Sequence, residues 1–272
     1  MTTTPLERLR AAAGGSAPLV PVAASLGITV DSVDEGRMVA RLAPAPAVLR
    51  GPGPAFVMID MVLSAVVATV LPSDHAISTL TLHWAGTGPF PDPVGPLVAT
   101  GTVVHLAADS ALSTGTLTDA DGEVLATVTN RSALLPLPPD GRRGGRGAPS
   151  GGPVGLTALD LAGGPSRWTA VGAPPLSNTA GALQGGVVAA VATHALDAAV
   201  AAVRPELAGA TFDLDVTYLR AIPSDGSDFS VTAQPLHAGR RLAAARAELH
   251  DSAGRLAVVA SSAHWRGGAE HR

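Results

Sequence analysis

Two stretches of this sequence repeat each other without a gap: VVHLAADSALSTGTLTDADGEVLATV, residues 103–128, and PLHAGRRLAAARAELHDSAGRLAVVA, residues 235–260. The constant offset is 132 residues, and it places Gly122 opposite Gly254. Each stretch alternates apolar and polar residues, turns at an Asp-x-x-Gly sequence and alternates again, which is the pattern of a β-hairpin. A self-similarity of this length predicts that one structural unit is present twice in the chain.

The repeat extends upstream through a strand and a long apolar helix. The strands are STLTLHW, residues 78–84, and FDLDVTY, residues 212–218, and each follows an apolar helical run that ends at a proline. Proline just past a helix is a common stop signal. Further strands are predicted before each helix, over residues 27–43 and 166–171. Each copy is therefore predicted to be an α+β unit with one long helix and about four antiparallel strands after it.

A helix that is apolar nearly all round has to be enclosed by other structure, and one curved sheet can wrap it. A long helix wrapped by a strongly curved antiparallel sheet is the hotdog fold, in which two units usually pair their sheets edge to edge. The predicted fold class is α+β, a double hotdog with two long central helices, each wrapped by a curved antiparallel sheet, and with paired sheets. We predict an N-terminal hotdog over residues 1–136, a Pro-, Gly- and Arg-rich linker over 137–164 and a C-terminal hotdog over 165–272.

The composition of the 272-residue chain argues against several classes of function. Cysteine is absent, which rules out disulfides, thiolate metal sites and cysteine nucleophiles. The formal net charge of -4 and the scattered arginines do not favour nucleic-acid binding. The histidines stand at no metal-ligand spacing, so no metal site is predicted. The apolar runs over 55–71 and 187–203 are interrupted by polar residues and no signal peptide is recognised, so we expect a cytoplasmic protein without a membrane span.

A motif at the start of the second helix points to a family. The stretch LSNTAGALQGGVVAAVATHALDAAV over 176–200 contains, in this order, Asn178, Gly181, Gln184, Gly185 and Gly186. Their spacing resembles the Asn-x-x-Gly-x-x-His-Gly-Gly signature of the PaaI-like acyl-CoA thioesterases, with glutamine in place of the histidine. DLDVTYLRAIPSDGS over 213–227 is similar to the strand of that family with Tyr-Leu-Arg-Pro, and HAGRR over 237–241 is similar to its Gly-Arg turn.

The resemblance implies a site between two hotdog units. In the family, the amide of the first glycine after the histidine begins the central helix and donates to the thioester carbonyl. An acidic residue seven positions beyond the second glycine comes from the partner unit. This chemistry is physically reasonable, because a helix N-terminus offers unpaired N–H groups to a developing oxyanion and a carboxylate can act as base or nucleophile. An acyl-CoA substrate is implied, with no cofactor besides its coenzyme A.

The two copies have kept different parts of this site. Seven residues beyond Gly186 stands Thr193, which is not an acid, so the second copy lacks the carboxylate. The prolines that end the two helices set an offset of 133, which places Asp60 opposite Thr193. The same offset places Pro52 opposite Gly185, and proline has no N–H to donate. Of the two composite sites at the interface, only the one that combines Asp60 with Gly185 has both parts.

We therefore predict one active site between the halves, in which Asp60 activates water or attacks the thioester. The Gly185 amide would stabilise the thioester oxygen with the help of the helix dipole. Gln184 and Asn178 would orient the thioester or the water, and Thr193 is a secondary catalytic candidate. The predicted substrate-binding residues are Gly186, Gly181, Gly239, Arg240 and Arg241, of which the two arginines would meet the phosphates of coenzyme A.

Other functions remain open at this point. A non-catalytic acyl-CoA binding or regulatory protein would keep the helix N-terminus and lose turnover, as the residues Gln184 and Thr193 allow. A hotdog dehydratase or hydratase would need a histidine five positions after the aspartate, where this chain has Ala65. The chain already contains a paired unit, so a monomer is possible. The usual assembly of the family favours a homodimer of double hotdogs. Aromatic, branched and medium-chain acyl groups all remain open.

Overall fold

The computed structural model describes residues 4–15, 20–43, 52–90, 95–137, 162–164 and 166–266. Two short helices, α1 (Pro5–Ala13) and α2 (Pro21–Ser25), precede the first strand. The sequence analysis did not identify α1, although its start carries a capping box. The Thr4 side chain accepts from the Glu7 N–H, and the Glu7 carboxylate accepts from the Thr4 N–H.

Each half contains a strand pair, a long central helix and four further strands. The elements of the first half are β1 (Ile28–Asp34), β2 (Arg37–Leu42), α3 (Gly53–Ala68), β3 (His75–Gly86), β4 (Leu97–Leu106), β5 (Ser110–Thr118) and β6 (Val124–Pro136). Those of the second half are β7 (Ala162–Gly164), β8 (Arg167–Val171), α4 (Gly185–Val203), β9 (Thr211–Tyr218), β10 (Asp228–Ala238), β11 (Leu242–His250) and β12 (Leu256–Trp265). The two halves thus repeat one order of elements.

The twelve strands of the described residues form one antiparallel sheet with the order β1-β2-β4-β5-β6-β3-β9-β12-β11-β10-β8-β7. The order is the same when each half is read outward from the centre, where β3 pairs with β9. In that central pair Leu82 lies opposite Val216, which is its equivalent in the repeat. Contact between equivalent residues marks a pseudo-twofold axis. The predicted double hotdog with paired sheets is confirmed.

Both central helices are enclosed. Helix α3 contacts strands β2 to β6, and α4 contacts β10 to β12, so each half of the sheet wraps one helix. By length and composition alone α4 could cross a membrane, but 61% of its most apolar window is buried inside the protein. The apolar side chains of α4 therefore fill the core of the second half.

The domain boundaries remain a prediction. Residues 138–161, most of the proposed linker with its arginine-rich run, lie outside the described residues, as does Gly51. The last three residues of the proposed linker, Ala162–Gly164, form β7 and pair with β8.

The two central helices approach each other most closely at the start of α4. A methyl group built on Gly186 would lie 2.2 Å from the carbonyl oxygen of Phe56 and 2.6 Å from the Cα of Val57, so a side chain has no room there. At the equivalent point of the first half, a methyl group on Gly53 would lie 3.7 Å from the Cβ of Ala190, which is an ordinary contact. The two contacts are related by the offset of 133 between the helices.

These contacts predict different outcomes for two matched substitutions. Gly186→Ala should lower the free energy of unfolding by about 2 kcal/mol or more, because α3 and α4 must move apart to admit the methyl group. Gly53→Ala should lower it by less than Gly186→Ala does, since the space is present and the only added cost is the helical conformation of an alanine before Pro54. Urea unfolding followed by circular dichroism measures both, and equal losses in the two variants would contradict the close approach at Gly186.

Candidate active site

Asp60 lies near the middle of α3 and points at the N-terminus of α4 in the other half. The residue is only 3% exposed. Its Oδ2 accepts a hydrogen bond of 2.5 Å from Gln184 Nε2 and one of 3.1 Å from the Gly186 N–H. The structure thus brings together the carboxylate of the first half and the helix start of the second half.

The surroundings of Asp60 set its protonation. Burial raises the pKa of Asp60 from its ordinary value of 3.8 to about 6, against the lowering effect of hydrogen bonds from Gly186, Thr79 and Gln184. A carboxyl group that titrates close to neutral pH can be ionised under working conditions and still accept a proton, which a general base requires.

Gln184 connects the cap of α4 to the carboxylate. Its Oε1 accepts from the Val187 N–H at 3.1 Å, as an N-cap side chain does. Because the oxygen is used in the cap, the amide nitrogen faces Asp60 and also lies 3.4 Å from the carbonyl oxygen of Val57. Gln184 therefore holds Asp60 with an amide N–H donor, which does not titrate.

Gly185 begins α4 directly beside the carboxylate. A methyl group built on Gly185 would lie 2.9 Å from both carboxylate oxygens of Asp60. No acceptor for the Gly185 N–H is found within the described part of the chain. The site thus combines an unpaired N–H at the positive end of a helix with a buried carboxylate, which is an arrangement that can stabilise an oxyanion.

Thr79 is a site residue that the sequence analysis missed. Its hydroxyl donates to Asp60 Oδ1 at 3.4 Å. Strict alternation along β3 would place Thr79 on the outer face, because Leu82 and Trp84 point inward. The pairing of β3 with β6 is irregular between Thr79 and Thr81, and this bulge turns Thr79 inward while Leu80 becomes 37% exposed.

A chain of buried polar side chains supports Thr79 from behind. Asn130 Nδ2 on β6 lies 3.5 Å from the Thr79 hydroxyl, and Ser132 donates to Asn130 Oδ1 at 2.8 Å. Ser64 on α3 lies 3.4 Å from the same hydroxyl. Asn130 and Ser132 occupy inward positions of β6, with exposures of 1% and 0%. Polar residues at two successive inward positions of a strand are a sequence signal that could have identified them.

Tyr218 is the second missed residue. At the end of β9, its hydroxyl donates to the carbonyl oxygen of Gly185 at 2.9 Å. Burial and the negative charge of Asp60 raise the pKa of Tyr218 well above its usual range. The phenol therefore stays neutral and remains a hydrogen-bond donor at every ordinary pH.

Three residues predicted for the site have other contacts in the structure. Asn178 Oδ1 accepts from the N–H groups of Ala180 and Ala182, at 2.8 and 3.2 Å. Asn178 was predicted to orient the thioester, but in the structure it stabilises the loop before α4. Gly181 has a φ of 78° and forms the turn of that loop, which a glycine favours. The Gly186 N–H is taken by Asp60, so it is not free for the substrate oxygen.

The other predicted residues lie apart from Asp60. The Thr193 hydroxyl donates to the carbonyl oxygen of Ala189 at 2.9 Å, within α4 itself. Gly239, Arg240 and Arg241 form the turn between β10 and β11, where the Gly239 N–H donates to the Leu242 carbonyl. No contact of this turn with the Asp60 cluster is found among the described residues.

A second polar cluster lies between α4 and β12. Ser262 Oγ is 2.8 Å from His264 Nε2, and His264 Nδ1 is 3.5 Å from Asp197 Oδ1, the order of a nucleophile, a base and an acid. His264 Nδ1 nevertheless finds no hydrogen-bond partner among the described residues. Burial lowers the pKa of His264 to about 4 and raises that of Asp197 to about 7, so both groups favour their neutral forms. The close approach is not an ion pair, and we assign no chemistry to it.

Fold and site together define a double-hotdog protein with a buried carboxylate of one half set against the helix N-terminus of the other. Residues 173–267 match the family model of the acyl-CoA thioesterase N-terminal domain. The match lies within the second half and supports a hydrolase that acts on thioester bonds. No curated protein matches the chain.

Solved structures share the double fold. The tesB protein of Mycobacterium avium subs paratuberculosis is similar with a TM-score of 0.62 and 13% identity over 91% of this chain and 98% of that chain. The acyl-CoA thioesterase II TesB2 of Mycobacterium marinum is similar with a TM-score of 0.55 and 11% identity, over 92% of this chain and 100% of that chain. The 12:0-ACP thioesterase of Umbellularia californica is similar with a TM-score of 0.50 and 13% identity, over 85% of this chain and 94% of that chain. At these identities the likeness establishes the fold.

The raised pKa of Asp60 predicts how stability depends on pH. The folded chain binds the Asp60 proton more tightly than the unfolded chain, so this stabilisation is complete below pH 3.8 and is lost as the pH rises through about 6. Asp60→Asn should remove the loss, because its oxygen can accept from Gln184 and Gly186 while its NH₂ group faces Thr79. We expect the variant to be more stable than the parent by on the order of 3 kcal/mol at pH 8.

Urea unfolding at pH 4 and pH 8 measures this difference between the parent and the Asp60→Asn variant. The advantage of the variant should be small at pH 4, where the carboxyl group is protonated in the folded state and already partly protonated in the unfolded state. The exposed Asp121→Asn serves as the control and should show no such change. An advantage of equal size at both pH values would contradict the raised pKa.

Proposed function

We propose that this protein hydrolyses acyl-CoA thioesters at one composite site between its two halves. The observation that carries the proposal is the Asp60 carboxylate, buried in the first half and held by Gln184 and the Gly186 N–H at the start of α4 in the second half. The acyl-CoA thioesterase domain matched over residues 173–267 supports the thioester as the bond that is broken.

Asp60 serves as the general base in this proposal. Oδ2 already accepts two hydrogen bonds, whereas Oδ1 has only the long 3.4 Å contact with Thr79. Oδ1 is therefore the oxygen that takes a proton from an attacking water, and the Thr79 hydroxyl can position that water. As the O–H bond breaks, the hydroxide oxygen bonds to the thioester carbon and the carbonyl electrons move onto its oxygen.

The Gly185 N–H stabilises the tetrahedral oxyanion. It stands at the first position of a 19-residue helix, where the unpaired N–H groups and the positive end of the dipole coincide. When the carbonyl reforms, the C–S bond breaks and Asp60 returns its proton to the departing sulfur, so coenzyme A leaves as the thiol. One preorganised donor of this kind contributes about 100- to 1,000-fold in rate.

Several further assignments rest on the sequence. We propose that the substrate lies on the PaaI-like motif around Gly185 and that the turn with Gly239, Arg240 and Arg241 meets the phosphates of coenzyme A. We also propose a cytoplasmic location and a homodimer of double hotdogs. Size-exclusion chromatography with light scattering tests the assembly, and competition of acyl-CoA binding by salt tests the arginine contact.

Activity is tested by thiol release from a panel of aromatic, branched and straight-chain acyl-CoAs. The kcat/KM of the parent should rise with pH through an apparent pKa of about 6, because only ionised Asp60 can accept the proton. Asp60→Asn should lower kcat/KM by at least about 100-fold at pH 8 without loss of the fold. The exposed Asp215→Asn is the control and should retain full activity.

The same panel separates catalysis from the competing function. A parent protein that binds acyl-CoA by calorimetry but releases no thiol is a binding or regulatory protein, and the hydrolase proposal fails. Single turnover in ¹⁸O-labelled water separates base from nucleophile. A base sends the label only into the acid product. A nucleophilic carboxylate forms a mixed anhydride, and water that attacks the Asp60 carbonyl of this anhydride places label in Asp60, so label found there identifies the nucleophile.

A further inference from the structure

One peptide unit joins Tyr218 to Asp60. The carbonyl of Gly185 and the N–H of Gly186 belong to the same peptide group. The Tyr218 hydroxyl donates to this carbonyl at 2.9 Å, and the N–H donates to Asp60 Oδ2 at 3.1 Å. Tyr218 therefore reaches the carboxylate through a peptide that accepts at one end and donates at the other.

The two hydrogen bonds strengthen each other. A donor at the carbonyl draws electron density toward the oxygen, and the N–H of the same amide becomes a better donor; such cooperativity amounts to roughly 10 to 30% per bond. The bond at the oxygen also fixes the plane of the peptide. Gly185 and Gly186 have no side chains to fix it, so its orientation depends on the Gln184 cap of α4 and on this contact from Tyr218.

The first half of the chain lacks this connection. The offset of 134 between the central strands places Trp84 at the position equivalent to Tyr218. Trp84 stacks on Phe212 with ring centroids 6.1 Å apart, and its buried Nε1 has no hydrogen-bond partner in the part of the chain that the structure describes. The first half also has Pro52 in place of Gly185. Tyrosine thus stands in the half whose helix meets the carboxylate, and tryptophan stands in the half whose helix does not.

We propose that Tyr218 is a positioning residue that acts through the Gly185–Gly186 peptide, whose orientation and donor strength it sets and which in turn holds Asp60. This inference rests on the proposed function for its effect on hydrolysis. Its effect on the carboxylate does not depend on any activity of the protein. Tyr218 touches no reacting atom in this scheme, and its hydroxyl transfers no proton.

The test removes the Tyr218 hydroxyl and measures the pKa of the Asp60 carboxyl group directly. Protein labelled with ¹³C at the aspartate carboxyl groups is titrated by NMR, and the Asp60 signal is assigned by its absence in Asp60→Asn. In Tyr218→Phe the acid dissociation constant of Asp60 should fall about threefold, which moves its pKa from about 6 to about 6.5. Thr217→Val, an exposed neighbour on the same strand, should leave the Asp60 titration unchanged.

A second measurement strengthens the donor instead of removing it. Tyr218 is the only tyrosine of the chain, so biosynthetic 3-fluorotyrosine replaces this residue alone. Fluorine makes the phenol more acidic and a stronger donor, so the pKa of Asp60 should fall below that of the parent. Opposite pKa shifts in the two proteins support the relay, by which we mean the hydrogen-bonded path from Tyr218 through the Gly185–Gly186 peptide to Asp60. Shifts in the same direction, or no shift in either, overturn it.

The pH profile of hydrolysis gives an independent readout. Below pH 6, Tyr218→Phe should lower kcat/KM about threefold, while above pH 8 it should be within twofold of the parent and KM should be unchanged. A loss of the same size at all pH values would assign Tyr218 a purely structural role and overturn the relay. A parent without thioesterase activity would overturn the proposed function, and the NMR titration would still decide the relay.

Discussion

The contact between Asp60 and the N-terminus of α4 is the constraint on which the structure depends. A carboxylate that is 3% exposed needs hydrogen-bond donors, and its own half supplies only the long bond from Thr79. The strong donors, Gln184 and the Gly186 N–H, come from the other half. The two halves must therefore keep a fixed register, which the central β3–β9 pair and the close helix approach at Gly186 provide.

Fusion of the two units in one chain allows this site to be asymmetric. In a symmetric dimer, each unit has to supply both the acid and the helix N-terminus, because the two interfaces are identical. In this chain the first half supplies Asp60 and the second half supplies the donors. The equivalent positions carry Thr193 and Pro52. The Thr193 hydroxyl is bonded within its own helix and cannot replace the acid, and the proline nitrogen has no hydrogen to donate.

The site also illustrates a conflict between stability and chemistry. The core around α3 is apolar, and burial raises the pKa of Asp60 to about 6. This burial costs stability at neutral pH, but it also makes the carboxyl group basic enough to accept a proton from water. Gln184, Thr79 and the α4 N-terminus offset part of the cost, which keeps Asp60 ionised at neutral pH.

The sequence by itself determined the duplication and the fold class, because hydrophobic periodicity and a constant offset can be read along the chain. The pairing of Asp60 with Gly185 was implied by the resemblance to the PaaI-like family. Tertiary structure alone decided the remaining contacts of the site. Thr79 faces Asp60 only because a bulge reverses the alternation of β3, and Tyr218 reaches Gly185 only because β9 lies beside the start of α4. Asn178, whose motif predicts a substrate contact, is used by its own loop. Side-chain direction depends on strand register and on neighbours distant in sequence, and neither is encoded in residue spacing.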